Sequence, residues 1–242
     1  MAQRVVYYHG CFVNYFDHET GFAVIKVLER NGLKVEVPES TCCSFPLFYS
    51  GDLVNAKKRA AKLVNTLGAF ASRGCHIVYS CPTCGYALKK IYPVLLETET
   101  SRLVADNTSF ISAYLLGLRD RGKLNGELGK MPLRVSYHTP CHLRSNGLAT
   151  ASTKLLALIP EIDVRYIDRG CCGMGGTWGL RSKNHCELSG QVGAHVFEAI
   201  KEVNPQLVAT DCAGCQIQIA RYTGYADDKI RHPIRIFAEA YL

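Results

Sequence analysis

The residues in this chain best suited to chemistry are its cysteines, and they follow a pattern that occurs twice. The first copy is Cys11, the adjacent pair Cys42 and Cys43, then Cys81 and Cys84. The second is Cys141, the pair Cys171 and Cys172, then Cys212 and Cys215. Written as motifs, these are C-x30-CC-x37-C-x2-C and C-x29-CC-x39-C-x2-C. Matching cysteines lie 130, 129 and 131 residues apart, and a long period held that closely implies duplication of a whole structural unit. Ten of the twelve cysteines belong to the two copies, which leaves Cys75 and Cys186 as bystanders.

Thiolates are the usual ligands of iron–sulfur clusters, and a C-x2-C spacing sets two of them on one tight turn. Each copy is therefore read as the binding site of one cluster, in a chain that moves electrons. Five thiols are one more than an ordinary cubane needs. The spacing leaves open whether the fifth is a bystander, a labile ligand, or a sign of a non-cubane cluster. Zinc is the rival metal, but it gives the fifth thiol no role. A thioredoxin-like use of the C-x2-C turns leaves the adjacent pairs unexplained. A disulfide framework fits poorly with adjacent cysteines in a chain long enough to build its own core.

The elements that must position these thiols alternate. Arg4–His9 reads as a strand leading to Cys11, Thr20–Asn31 as a helix, and Leu33–Pro38 as a strand before the loop of Cys42 and Cys43. Asp52–Ser72 is a long helical pattern that Asp52 can cap. His76–Ser80 reads as the strand delivering Cys81, Gly85–Ile91 as a helix, and Thr108–Arg121 as another helix. Gly122–Pro132 is polar and glycine-rich, and we place the boundary between the halves there, giving 1–125 and 126–242 as two cluster-binding halves. The order then repeats: strand Arg134–His138, helix Ala149–Leu158, strand Asp163–Ile167, helix Glu187–Val203 and strand Gln206–Thr210. Such alternation predicts an α/β fold of two duplicated Rossmann-like parallel-sheet halves related by pseudo-two-fold symmetry. Functional groups in such sheets gather at the carboxyl ends of strands, so each cysteine set is expected at one edge of its sheet.

In both copies the second cysteine of C-x2-C is expected to open a helix, whose N-terminus favours a thiolate and an anionic cluster. Gly173, Gly175 and Gly176 allow backbone to approach cluster sulfides. The first copy has Ser44 and Phe45 where the second has Gly173 and Met174, so the two sites should differ in potential or exposure. His9, His138 and His142 flank Cys11 and Cys141. They are read as satisfying local hydrogen bonds, with outer support or proton delivery as the functional alternative. Tyr7, Tyr8 and Tyr137 are read as core.

The composition sets the frame. Apolar residues make up 48% of 242 and charged residues 20%, as in ordinary soluble globular proteins. The net charge of +7 is read as a solvated basic surface, with an acidic partner or anionic headgroups as the functional alternative. No nucleic-acid motif is present. No apolar leader opens the sequence and no stretch of 18 apolar residues occurs, which predicts a cytoplasmic protein whose membrane contact is limited to the peripheral kind.

The doubled C-x(~30)-CC-[GS]-x(~37)-C-x2-C pattern resembles the cysteine-rich CCG domain family. The stretches HGCFVNY (9–15), YHTPCH (137–142), CCGMGGTWGLRSKN (171–184) and TDCAGC (210–215) carry the likeness. The family includes subunits of heterodisulfide reductase, lactate-utilisation systems, glycolate oxidase and anaerobic glycerol-3-phosphate dehydrogenase. The resemblance implies two [4Fe-4S] clusters, non-cubane in the heterodisulfide reductase relative. One would sit on Cys11, Cys42, Cys43, Cys81 and Cys84, the other on Cys141, Cys171, Cys172, Cys212 and Cys215. It also implies an iron–sulfur electron-transfer subunit of a dehydrogenase or reductase complex, with a flavin-containing partner, other iron–sulfur subunits and a quinone or another acceptor. No flavin or nucleotide motif is found on this chain. Disulfide reduction at a cluster is the catalytic alternative, and a structural zinc or interaction module the third. No C-x2-C-x2-C-x3-C-P run accompanies the repeat, so the chain is expected to be a stand-alone subunit of this type or a piece of a longer one.

Overall fold

The structure, a computed structural model, describes residues 3–241. The chain divides between Asn125 and Gly126 into two compact units. Each contains a four-stranded, all-parallel sheet.

In the first unit the strands are β1 (Arg4–Tyr8), β2 (Lys34–Glu36), β3 (His76–Tyr79) and β4 (Thr108–Phe110), in the order β2-β1-β3-β4. In the second they are β5 (Arg134–His138), β6 (Asp163–Ile167), β7 (Leu207–Ala209) and β8 (Ile230–Arg231), in the order β6-β5-β7-β8. The two orders are the same once the numbering is shifted. Alternating strands and helices therefore yield parallel sheets, as the sequence predicts.

A strand covered by helices on both faces needs apolar residues at every position, not every second one. Val5, Val6, Tyr7 and Tyr8 of β1 and Ile77, Val78 and Tyr79 of β3 are all buried. Covering helices include His18–Arg30 and Leu53–Ala71 in the first unit and Lys183–Val203 in the second. Asp52 caps the long helix of the first unit by accepting from the Asn55 N–H at 3.2 Å. Ser182 does the same for Lys183–Val203 through the His185 N–H.

Two expectations need correction. Thr108–Phe110, read as the start of a helix, is strand β4, and the helix spans Ile111–Asp120. Helical spacing of apolar residues continues back through Thr108–Phe110, so periodicity alone assigns them to the helix; pairing with β3 decides otherwise. The helix at each C-x2-C also starts earlier than expected. Cys81 and Cys212 are the N-caps of Pro82–Tyr86 and Ala213–Thr223, and Cys84 and Cys215 sit inside the first turn. Past Tyr86 the helix of the first unit runs on through a π-helical turn, Ala87–Ile91, into Tyr92–Leu96.

Candidate metal centres

The carboxyl ends of the strands deliver the cysteines. β1 runs into the short helix Gly10–Tyr15, which carries Cys11, and β3 runs into Cys81. The Cys42–Cys43 loop follows β2 and precedes the helix Phe45–Tyr49. The second unit repeats this with Cys141 opening Cys141–Ser145 after β5, Cys171 and Cys172 after β6, and Cys212 after β7. A separate cavity of about 430 Å³, lined by Arg134, Asp163 and Gln206 among others, lies at the opposite, amino ends of the second unit's strands, away from the thiols.

All five thiols of the first set touch in a chain. The Cys11 and Cys42 sulfurs are 3.4 Å apart. Cys42 is also hydrogen-bonded to Cys43, Cys43 to Cys84, and Cys84 to Cys81. Contact with the Cys11 and Cys43 thiols and with the Ser44 N–H, helped by the charge of Arg59, holds Cys42 down at about 2. Its neighbours move the other way. Cys11 is pushed up by its bond to Cys42 and by burial, Cys43 by its bond to Cys42, and Cys84 by its bonds to Cys43 and Cys81. One thiolate thus forms easily while packed thiols around it resist further negative charge. A cation shared among these thiols would remove that resistance, because metal ligation takes cysteine as thiolate.

The second set has the same chain of contacts, Cys141–Cys171–Cys172–Cys215–Cys212. Cys171 is held at about 2 by Cys141, Cys172 and the Gly173 N–H, 3.3 Å from its sulfur. Cys212 is lowered to about 7 by the Cys215 thiol and by N–H groups of the helix it caps, while Cys172 is pushed up to about 12 by Cys171. Cys172, Cys215 and Met174 belong to one hydrophobic cluster with Val196, Phe197, Ile200 and Ile219. Cys141 and Cys171 are exposed, whereas no cysteine of the first set is.

The residue after each adjacent pair sits in the left-handed region, Ser44 with φ 55° and Gly173 with φ 84°. This conformation aims the N–H of each back at the preceding pair's first sulfur. A Cβ on Gly173 would lie 1.9 Å from the Ser189 carbonyl oxygen, so glycine is required there. Ser44 has the room and turns its hydroxyl to the Cys42 carbonyl at 3.2 Å.

The donor sets suit a metal centre. None of the twelve cysteines forms a disulfide, and in each unit five are linked thiol to thiol in a chain of contacts. Cys75 is buried, and Cys186 pairs with the Tyr222 hydroxyl at 3.3 Å; neither joins a set. Tyr7, Tyr8 and Tyr137 are buried and bond Ser80, the Thr41 carbonyl and Asp211 at 2.9, 3.0 and 2.6 Å. His9 bonds the Gly10 carbonyl through Nδ1 at 2.8 Å, in line with a local role. His142 is lowered by burial.

Two residues stand out in the structure more than in the sequence. His138, read as a local hydrogen-bonder, is buried, leaves Nδ1 without a partner, and lies with Cys172 and Cys215 so that their donor atoms are within 4.8 Å of one another. Burial and the nearby Arg144 lower it to about 4, so the ring is neutral. Asp211, adjacent to Cys212, is buried and accepts from Tyr137 at 2.6 Å and Ser152 at 2.8 Å, with His232 at 3.7 Å. Burial raises its carboxyl. Beyond the place of His138 near Cys141, the sequence signal lies in superposing the two copies of the repeat: Tyr8 stands opposite His138, and Ser80 opposite Asp211.

A duplicated parallel α/β scaffold that gathers five cysteines at the carboxyl end of each sheet defines a class of cysteine-rich, thiol-clustering proteins. The family described as "Cysteine-rich domain" (CCG) matches residues 5–89 and 135–220, and the chain belongs to it. The C-type subunit of anaerobic glycerol-3-phosphate dehydrogenase from Escherichia coli is 34% identical over 239 residues, 98% of this chain and 59% of that protein. The B-type subunit of the fumarate reductase (CoM/CoB) of Methanothermobacter marburgensis is 30% identical over 99% of this chain and 47% of its own length. Lactate utilization protein A of a Geobacillus strain is 28% identical, covering 89% of this chain and 90% of that protein. The chain thus spans about half to three-fifths of the first two relatives. Among the described residues no helix is long and apolar enough to cross a membrane.

Proposed function

We propose that this chain is an iron–sulfur electron-transfer subunit of a dehydrogenase or reductase complex, each half holding one four-iron cluster. The observation that supports it most is the pair of five-thiol sets, each drawn into mutual contact at the end of a like-ordered sheet. Relatives named as dehydrogenase and reductase subunits agree with it. Cys11, Cys42, Cys43, Cys81 and Cys84 would hold one cluster, and Cys141, Cys171, Cys172, Cys212 and Cys215 the other. When bound, such clusters accept and release single electrons. The chain's own part is to supply thiolates, aim the Ser44 and Gly173 N–H groups at sulfur, and bury Cys43, Cys84, Cys172 and Cys215 away from water. Electrons would come from a flavin-containing partner polypeptide and leave to a quinone or another acceptor.

Iron and acid-labile sulfide per chain, measured on protein prepared without oxygen, test this reading. About eight of each is the expected result for two four-iron clusters. Zinc without iron would overturn it in favour of a metal-stabilised interaction module. Stoichiometric flavin on the isolated chain would overturn the division of labour with a partner.

A second reading has the second set reduce a disulfide directly. The exposure of Cys141 and Cys171 favours it, since a substrate sulfur can reach them. Two electrons from the partner and two protons would convert one disulfide to two thiols. Reduced protein whose clusters stay reduced in the presence of small disulfides would exclude it.

A further inference from the structure

We propose that His138 supplies a nitrogen ligand to the metal centre of the second half, making that centre a mixed thiolate–imidazole site while the first is thiolate only. The inference rests on the reading that the second cysteine set holds metal. It starts from an unsatisfied atom. His138 ends β5, is 1% exposed, and its Nδ1 has no hydrogen-bond partner. A buried polar atom left unpaired costs about 1–3 kcal/mol, so such an atom normally has a use. The ring lies beside two sulfurs. The donor atoms of His138, Cys172 and Cys215 lie within 4.8 Å of one another, and all three residues are buried. Three donors around one small volume is the arrangement a bound metal ion draws together, and imidazole is accepted beside thiolate by both iron–sulfur and zinc centres.

The first half shows what the same fold position does without this role. Tyr8 ends β1 at the matching place in the repeat, is fully buried, and spends its hydroxyl on the Thr41 carbonyl at 3.0 Å. It thereby braces the loop that carries Cys42 and Cys43. The substitution of imidazole for phenol between copies thus exchanges a satisfied structural group for a ring that has an unpaired nitrogen and lies beside two thiols.

The test uses pulsed electron paramagnetic resonance on the reduced, anaerobically prepared chain. One sample carries ¹⁵N-histidine and another natural histidine, in C43S protein so that only the second set is complete. A metal–nitrogen coupling that changes with the histidine label is the expected result. The same coupling should vanish in H138Y, which installs the residue of the first half, and persist in H142F. A spectrum indifferent to the label, from protein that retains iron, overturns the proposal without touching the iron–sulfur reading. Protein that holds no iron refutes the iron–sulfur reading instead; it is then loaded with Co²⁺ and the label comparison repeated, which decides nitrogen ligation separately. The comparison of labels needs no substitution at position 138, so a misfolded H138Y variant does not blunt it.

Discussion

The two halves hold the same five thiols on the same strand order and secure the adjacent pair by opposite means. In the first half side chains do it. Tyr8 donates to the Thr41 carbonyl at 3.0 Å and Tyr92 to the Cys43 carbonyl at 2.5 Å, gripping the loop on both sides of Cys42. In the second half backbone does it. Gly173 lies against the Ser189 carbonyl, and Gly193 of the same helix lies against the Cys172 carbonyl. A clamp of phenols tolerates a side chain on the loop; a helix pressed against the loop does not. The glycine after the second pair is therefore a packing requirement, and the serine after the first pair is its relaxed counterpart.

If each half holds its own cluster, the largest effect comes from removing one thiol. C43S and C172S are each expected to lower iron from about eight to about four per chain, because each set would fail by itself. Metal analysis of both variants and of the double variant checks this. Complete loss of iron from either single variant would show that the halves fill cooperatively and break the comparison.

The loop contrast predicts the next effect. G173A adds a Cβ 1.9 Å from a carbonyl oxygen in a left-handed conformation. Strain and overpacking together cost about 2–5 kcal/mol. S44G relieves left-handed strain of about 1–2 kcal/mol, and loses one hydrogen bond worth about 0.5–1.5 kcal/mol and some chain rigidity. Those contributions nearly cancel. Unfolding midpoints in denaturant should therefore fall sharply for G173A and hardly move for S44G. Equal losses would mean that the two loops are held alike.

Behind each C-x2-C a buried tyrosine meets a different partner. Tyr137 donates to the Asp211 carboxylate at 2.6 Å, while Tyr7 pairs with the Ser80 hydroxyl at 2.9 Å. Hydrogen bonds to charged groups contribute more than neutral ones, so Y137F should cost about 2 kcal/mol and Y7F about 1 kcal/mol. The same unfolding measurement orders them. A Y7F loss as large as that of Y137F would show that Asp211 adds nothing through this contact.

These contrasts mark what was legible in the sequence. Sheet class and the repeat were legible because strands covered on both faces read as apolar runs, as in Val5–Tyr8 and His76–Tyr79. β4 and β8 were not. One is three residues continuous with a helix pattern, the other only two residues, Ile230 and Arg231, and pairing rather than local preference makes them strands. The left-handed turn after each pair was signalled at Gly173 and hidden at Ser44, a residue that adopts it only because the surrounding contacts allow it. Asp211 was hidden, and His138 was marked only by its place near Cys141, for a different reason. A lone histidine or aspartate carries no periodic signal, and its partners, Cys172, Cys215, Tyr137, Ser152 and His232, are brought to it only by the crossovers of the sheet.

The smallest expected difference concerns access. In metal-free, reduced protein, Cys42 and Cys171 are both held at about 2, each by neighbouring thiols and one N–H group. Both are lowered far and by the same kinds of contact, so ionisation is not expected to separate them. Exposure can, because Cys171 is exposed and Cys42 is half-buried. Iodoacetamide should then label Cys171 severalfold faster than Cys42, as followed by mass spectrometry. Neither rate should rise between pH 5 and 8, since a thiol that titrates near 2 is already ionised at both ends of that range. Cys212, half-buried like Cys42 and lowered only to about 7, should instead gain thiolate, and with it rate, across the same interval. Equal rates at Cys42 and Cys171 would remove exposure as a distinction between the halves. A rate at Cys171 that climbs with pH would show that its neighbours do not hold the charge, and the thiol-to-thiol contacts that order the site would have to be redrawn.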